Sequence, residues 1–233
     1  MSHPTPPDLR AHYDAMWDRA WPHVAEGSVD CDTHLAGGLD PRRGMTLIAR
    51  PDPALADRFT GVLDRLAGAD AHQYRQPRAD LHMTVLSLFT VTKDYLPHLA
   101  RRADYAAAVF DAVDGLSAFE IDFDGITISR GAVLARGFPR DGTLELLRAR
   151  LRDALRARGL DGMLDQRYRL VTAHSTLLRF TAPPADPARF AAALAELRDM
   201  PLGTMHVGTL QLVVNDWYMS SAAVELIESF MLT

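Results

Sequence analysis

Asp80-Leu-His82-Met-Thr84-Val-Leu86-Ser-Leu88-Phe89 and Thr172-Ala-His174-Ser-Thr176-Leu-Leu178-Arg-Phe180 are two versions of one pattern, a His-x-Thr triplet running into an apolar segment. Both segments read as β-strands. Side chains two apart on a strand share a face, so each triplet presents an imidazole beside a hydroxyl and turns Met83 or Ser175 the other way. Two such strands facing each other would bring two histidines and two hydroxyls to one small anionic group. That is equipment for acid–base chemistry on a phosphate ester without a metal.

A single strand histidine is usually a partnered core residue, and the triplet by itself says little. A third copy, His3-Pro-Thr5, sits in a Pro-rich N-terminus where no strand can be read. The later two differ in their matched settings. Thr46–Arg50 reads as a strand, and Asp52-Pro53 caps a helix with Leu55, Phe59, Val62, Leu63 and Leu66 on one face. The His82 strand follows, then a helix whose apolar face is read as Leu99, Ala103, Ala106, Phe110 and Val113. Phe119–Phe123 alternates as a strand.

The second half repeats the order. Ala132–Phe138 is a strand, and Asp141 leads into a helix with Leu144, Leu147, Leu151 and Leu155 as its stripe. The His174 strand comes next, then an Asp186-Pro187 helix with Phe190, Leu194 and Leu197, and a closing strand over Val207–Val214. The chain thus reads as an internal duplication, about 45–128 and 131–214, with a triplet in the middle of each half. Residues 1–44 form an N-terminal helical arm. In it Asp8 caps a helix carrying Tyr13, Trp17, Trp21 and Val24, and Gly37-Gly38 and Pro41 mark a loop before the single domain of residues 45–233. The loops 68–80 and 159–170, before the triplets, are expected to rim a cleft.

Composition excludes several classes. The chain has 233 residues, 48% hydrophobic and 24% charged, the balance of a globular protein. No apolar run is long enough to span a bilayer, and no signal-peptide pattern opens the chain. A single cysteine, Cys31, rules out an internal disulfide framework and makes the cytoplasm the expected compartment. The net charge of −5 argues against tight gripping of long nucleic acid, though not against a nucleotide or RNA end as substrate. Loops of the Walker and Rossmann kinds, zinc motifs and the serine-hydrolase elbow are missing. Cys31 and His34, with Asp30 and Asp32, read as a solvated loop rather than a metal site. No metal and no cofactor are expected.

The paired triplets in a duplicated α/β pattern resemble the 2H phosphoesterase superfamily, which includes 2′-5′ RNA ligase-like proteins and 2′,3′-cyclic phosphodiesterases. The resemblance covers roughly Met45 to Val214. It implies an α+β fold of two lobes, each with a mainly antiparallel sheet and flanking helices, around a central cleft. It further implies His82 and His174 as catalytic acid and base, with Thr84 and Thr176 holding phosphate oxygens. The activity implied is hydrolysis of a 2′,3′-cyclic phosphate on a nucleotide or RNA end. The alternatives are 2′-5′ phosphodiesterase or ligase activity, or a nucleotide-binding module with little catalysis. Histidine suits both catalytic jobs because its ordinary pKa lies near neutrality.

Further substrate contacts are read at Arg130, for positive charge, and at Tyr168 and Tyr218, for stacking on a base. For each the competing reading is structural: a salt-bridged arginine, or aromatic packing at a strand end. Arg136 is read the same way as Arg130. With regular alternation Arg179 points away from His174 and falls outside the site.

Overall fold

The computed structural model describes residues 8–36, 40–166 and 169–233. Helix α1 (Leu9–Ala25) starts at Asp8, whose side chain accepts from the Ala11 N–H, and buries Tyr13, Trp17, Ala20 and Val24. Strand β1 (Arg43–Ala49) and helix α2 (Pro53–Ala69) follow, with Asp52 accepting from the Leu55 N–H as the Asp-Pro pair predicts. The first pre-triplet loop contains a two-residue strand, β2 (Tyr74–Arg75), before β3 (Met83–Thr92). Helices α3 (Leu96–Ala100) and α4 (Arg102–Val113) lead to β4 (Phe119–Ile128). The second half runs β5 (Ala132–Pro139), α5 (Thr143–Ala157), β6 (Ser175–Arg179), α6 (Pro187–Leu197), β7 (Pro201–Val207), β8 (Thr209–Asn215) and β9 (Glu225–Met231).

Two antiparallel sheets result, ordered β3-β1-β8-β9 and β2-β6-β5-β4-β7. The halves do not each make one sheet. β1 lies between its own triplet strand β3 and the second half's β8, while β5 lies between β6 and the first half's β4. The helices exchange in the same sense: α4 packs on α5, which touches β3, and α2 packs on α6 and β7. Leu, Val, Ile and Phe side chains from both halves fill one continuous core, with Phe59 of α2 edge-on to Phe123 of β4 at 5.1 Å.

Two expectations are corrected. The closing strand expected over Val207–Val214 is β8, which starts at Thr209, and a separate strand, β7, precedes it and ends at Val207; the chain passes from one sheet to the other at Gly208. In the helix before β4, the buried face is Tyr105, Ala108, Val109, Ala112 and Val113, whereas Phe110 is 61% exposed. Tyr105 decides this rotation. Its ring packs 5.6 Å from Phe89 and its hydroxyl bonds His98 Nδ1 at 3.2 Å, contacts the Phe110 face could not make at the same time. The loop read at Gly37-Gly38 lies outside the described residues, as does the His3-Pro-Thr5 triplet.

A bulge at the same place in each triplet strand matters most for the site. Ile48 pairs with Thr84 and Leu47 with Leu86, so Val85 is an extra residue. Leu134 pairs with Thr176 and Val133 with Leu178, so Leu177 is an extra residue. A bulge inserts one residue and shifts the side chains beyond it to the opposite face. Burial follows the shift: Leu86 and Leu178 join the core, while Ser87 and Arg179 emerge on the partly exposed face with the threonines.

Candidate active site

Met83 and Ser175 are buried, and His82, Thr84, His174 and Thr176 are partly exposed, as strand alternation requires. β3 is an edge strand of its sheet and comes into contact with β6 of the other. The imidazoles are near enough that positive charge on His82 lowers the His174 pKa. Neither threonine hydroxyl has a protein hydrogen-bond partner among the described residues.

Each imidazole is oriented by the residue two before it. His82 Nδ1 lies 2.8 Å from the Asp80 carbonyl oxygen, which can only accept. Nδ1 therefore carries the proton, and Nε2 is left for the cleft. The short 3₁₀ turn Arg78–Asp80 sets this carbonyl, and the buried Asp80 carboxylate is held by the Ser221 N–H at 3.0 Å. On the other side His174 Nδ1 lies 2.7 Å from the Thr172 hydroxyl. A hydroxyl can donate or accept, so His174 is free to change tautomer during a proton transfer.

The backbone before β6 is held from two directions. The Tyr13 hydroxyl of α1 accepts from the Ala173 N–H at 3.2 Å and donates to the Gly137 carbonyl at 3.2 Å. Gly137 has to be glycine, because a Cβ there would lie 1.8 Å from the Ala173 carbonyl oxygen. From below, the buried Arg148 of α5 donates to Val85 O (2.8 Å), Thr172 O (2.7 Å), Val171 O (3.1 Å) and Thr84 O (3.4 Å). One guanidinium thus ties the backbones of both triplets together.

Among the described residues, three arginines bear on the histidines. Arg50, just past β1, bonds Gln211 Oε1 at 3.0 Å and Ala79 O at 2.7 Å, beside the turn before His82. Arg148 lies beneath both motifs, and Arg179 is carried to their face by the bulge. Burial, reinforced by Arg50 and Arg179 and opposed by the Asp80 carbonyl, holds the His82 pKa down to about 4. Burial, then Arg148, His82, Arg179 and His12 of the arm, hold His174 at about 4 as well. The cleft is therefore locally positive in a chain of net charge −5, with imidazole, hydroxyl and guanidinium groups that suit an oxyanion.

These shifts predict an acid-labile fold. Both histidines bind a proton more weakly folded, at about 4, than at the ordinary 6.5. Their contribution is complete above pH 6.5 and is lost as pH falls toward 4. Tm should drop over that window, and drop less in His82→Ala or His174→Ala. Melting curves from pH 7.5 to 4 check this, and parallel losses in all three proteins would contradict it.

The remaining candidates occupy different places. Arg130 pairs with Asp30 of the arm at 2.8 Å. Arg136 is buried, bonded to Asp124 O and Asp199. Tyr218 is buried, its hydroxyl donating to Asp32 at 2.8 Å and its ring 5.6 Å from the Arg179 guanidinium. Tyr168 lies outside the described residues. Sequence reasoning missed Arg50, Arg148, Thr172 and Asp80, and placed Arg179 on the wrong face. Arg148 alone left a signal: α2 buries Leu55, Phe59, Val62 and Leu66, and α5 buries Leu144, Arg148, Leu151 and Leu155 at the same spacing, with arginine where the first half has phenylalanine.

A sequence profile of the 2′-5′ RNA ligase superfamily matches residues 51–216. Among solved structures, the conserved protein of unknown function ATU0111 from Agrobacterium tumefaciens str. C58 is similar at TM-score 0.60 and 16% identity, covering 91% of this chain and 97% of that one. E. coli LigT without ligand is similar at TM-score 0.53 and 15% identity (82% and 98% covered). LigT complexed with 3′-AMP gives TM-score 0.52 at the same identity and coverage. TT0787 of Thermus thermophilus gives TM-score 0.51 and 18% identity (82% and 97%). At these identities the likeness is one of fold. No curated protein matches the chain in sequence.

Proposed function

Since this chain belongs to the 2′-5′ RNA ligase superfamily, the group of 2H phosphoesterases, we propose that it is a phosphodiesterase that opens a 2′,3′-cyclic phosphate on a nucleotide or RNA end. The observation that carries this reading is the neighbouring pair of imidazoles, each with a hydroxyl two residues on, in a cleft ringed by arginines. LigT crystallised with 3′-AMP supports a nucleotide as the substrate class.

The reaction divides among these residues as follows. One histidine, neutral, takes a proton from water through Nε2 as the water oxygen bonds to phosphorus. The bond from phosphorus to one ribose oxygen breaks, and the other histidine, charged, gives that oxygen its proton. Thr84 and Thr176 hydroxyls donate to the non-bridging oxygens as negative charge builds there. Arg148 and Arg179 add a fixed positive field. No metal is assigned a role in this scheme.

The test is hydrolysis of a panel of 2′,3′-cyclic nucleotides in EDTA. Turnover that survives chelation supports the reading, and turnover that vanishes with the metal contradicts it. The pH dependence is a separate prediction. With both histidines near 4, the singly protonated pair that catalysis needs becomes rarer as pH rises above about 5. The kcat/KM profile should peak on the acid side of neutrality and fall by roughly tenfold per pH unit at its alkaline limit. The optimum for kcat should lie higher, because bound phosphate stabilises the imidazolium.

A further inference from the structure

We propose that the pocket between the N-terminal arm and the end of β6 is a nucleobase subsite, holding the base of the substrate whose phosphate lies between the triplets. This rests on the reading above as to the phosphate. The pocket has a volume of about 370 Å³ and is lined by Arg42, Asp32, Thr33, Arg179, Trp217 and Tyr218 among others.

Its position fits one nucleoside. Thr176 faces Leu134 on β5, and the pocket is lined by Ala132, two residues further along that strand, opposite Arg179. Two strand residues span about 7 Å, close to the reach from a ribose 2′,3′-phosphate to the ring of its base.

Its chemistry fits an aromatic heterocycle. The Trp217 ring is partly exposed, with the Arg42 guanidinium 6.0 Å and the Arg179 guanidinium 5.8 Å from its centroid. Flat cations and an indole face are surfaces on which any base can stack. The arm is fastened to make this wall. The Asp32 N–H donates to Phe180 O at 2.7 Å, the Asp30 N–H to Arg130 O at 2.8 Å, and the Tyr218 hydroxyl to Asp32. Arg130 and Tyr218 thus shape the wall of the pocket. Asp30–His34, Arg42, Trp217 and Tyr218 all lie outside residues 51–216, so this wall is built by parts of the chain beyond the family match.

The test compares binding of adenosine 3′-monophosphate with that of methyl riboside 3-phosphate, which has no base, by calorimetry in EDTA. The protein should bind the nucleotide roughly 5- to 150-fold more tightly, the range of one base–aromatic stack. Trp217→Ala removes the stacking face, and Thr33→Trp fills the pocket without removing any buried group. In both variants the two ligands should bind alike. Equal affinities in the wild type, a preference that survives Trp217→Ala, or no binding of the nucleotide would each overturn the subsite. The readout separates the two ideas: base preference without cyclic-phosphate turnover sinks the proposed reaction alone, and turnover without base preference sinks the subsite alone.

Discussion

Alanine in place of His82 or His174 is expected to lower kcat/KM toward a 2′,3′-cyclic nucleotide by about 10³-fold or more, with the fold retained. One proton transfer of this kind contributes roughly 10²- to 10⁴-fold, and each histidine here is asked for one that the other cannot perform. The site needs one neutral and one charged imidazole around the same phosphorus, so loss of either leaves an unmatched partner. The double variant should therefore be little worse than either single one, as for residues that act as a unit. Both side chains are partly exposed and lie outside the apolar core, so urea midpoints near neutral pH should shift little. Unaltered turnover in either variant would end the two-histidine mechanism.

Arg148→Met should produce the second largest effect, on stability and on rate together. Methionine fills much of the same volume but leaves the carbonyls of Thr84, Val85, Val171 and Thr172 without the guanidinium that now bonds them. Each buried acceptor stripped of a partner costs about 1–3 kcal/mol, so the loss over four carbonyls should reach several kcal/mol, read as a lower urea midpoint. Among the molecules still folded, the two triplets lose their common anchor, and misplacement of catalytic groups by about 1 Å costs on the order of 10²-fold in rate. The fall should appear mainly in kcat. Arg148→Lys keeps the charge but not the planar fork, so it should restore the pH profile without restoring full kcat. A methionine variant with wild-type kcat per folded molecule would show that Arg148 is a stability element only.

Arg148 also shows why part of the site was hidden. In the sequence it is one of many arginines on an amphipathic helix, and its value depends on four carbonyls supplied by two strands that are distant in the chain. Arg179 was misplaced for a related reason. Alternation is the right rule for a regular strand, but the bulge at Leu177 comes from the register with β5, and no residue in the β6 segment announces it. The arm could be read as an amphipathic helix from its own spacing. That its Tyr13 would prop the His174 backbone, and its residues 30–34 would wall a pocket, was not readable there.

The sequence by itself determined the helix starts at Asp8, Asp52 and Asp186, the two triplet strands and the sides that Met83 and Ser175 take, and the repeated order of elements. All of these follow from local capping chemistry and side-chain periodicity, which act over a few residues. Only the tertiary structure decided that β4 and β8 would exchange between the halves, that both triplet strands would bulge at the same point, and that a buried guanidinium would join them. Those outcomes depend on which strand pairs with which, a choice made by burying the whole core at once.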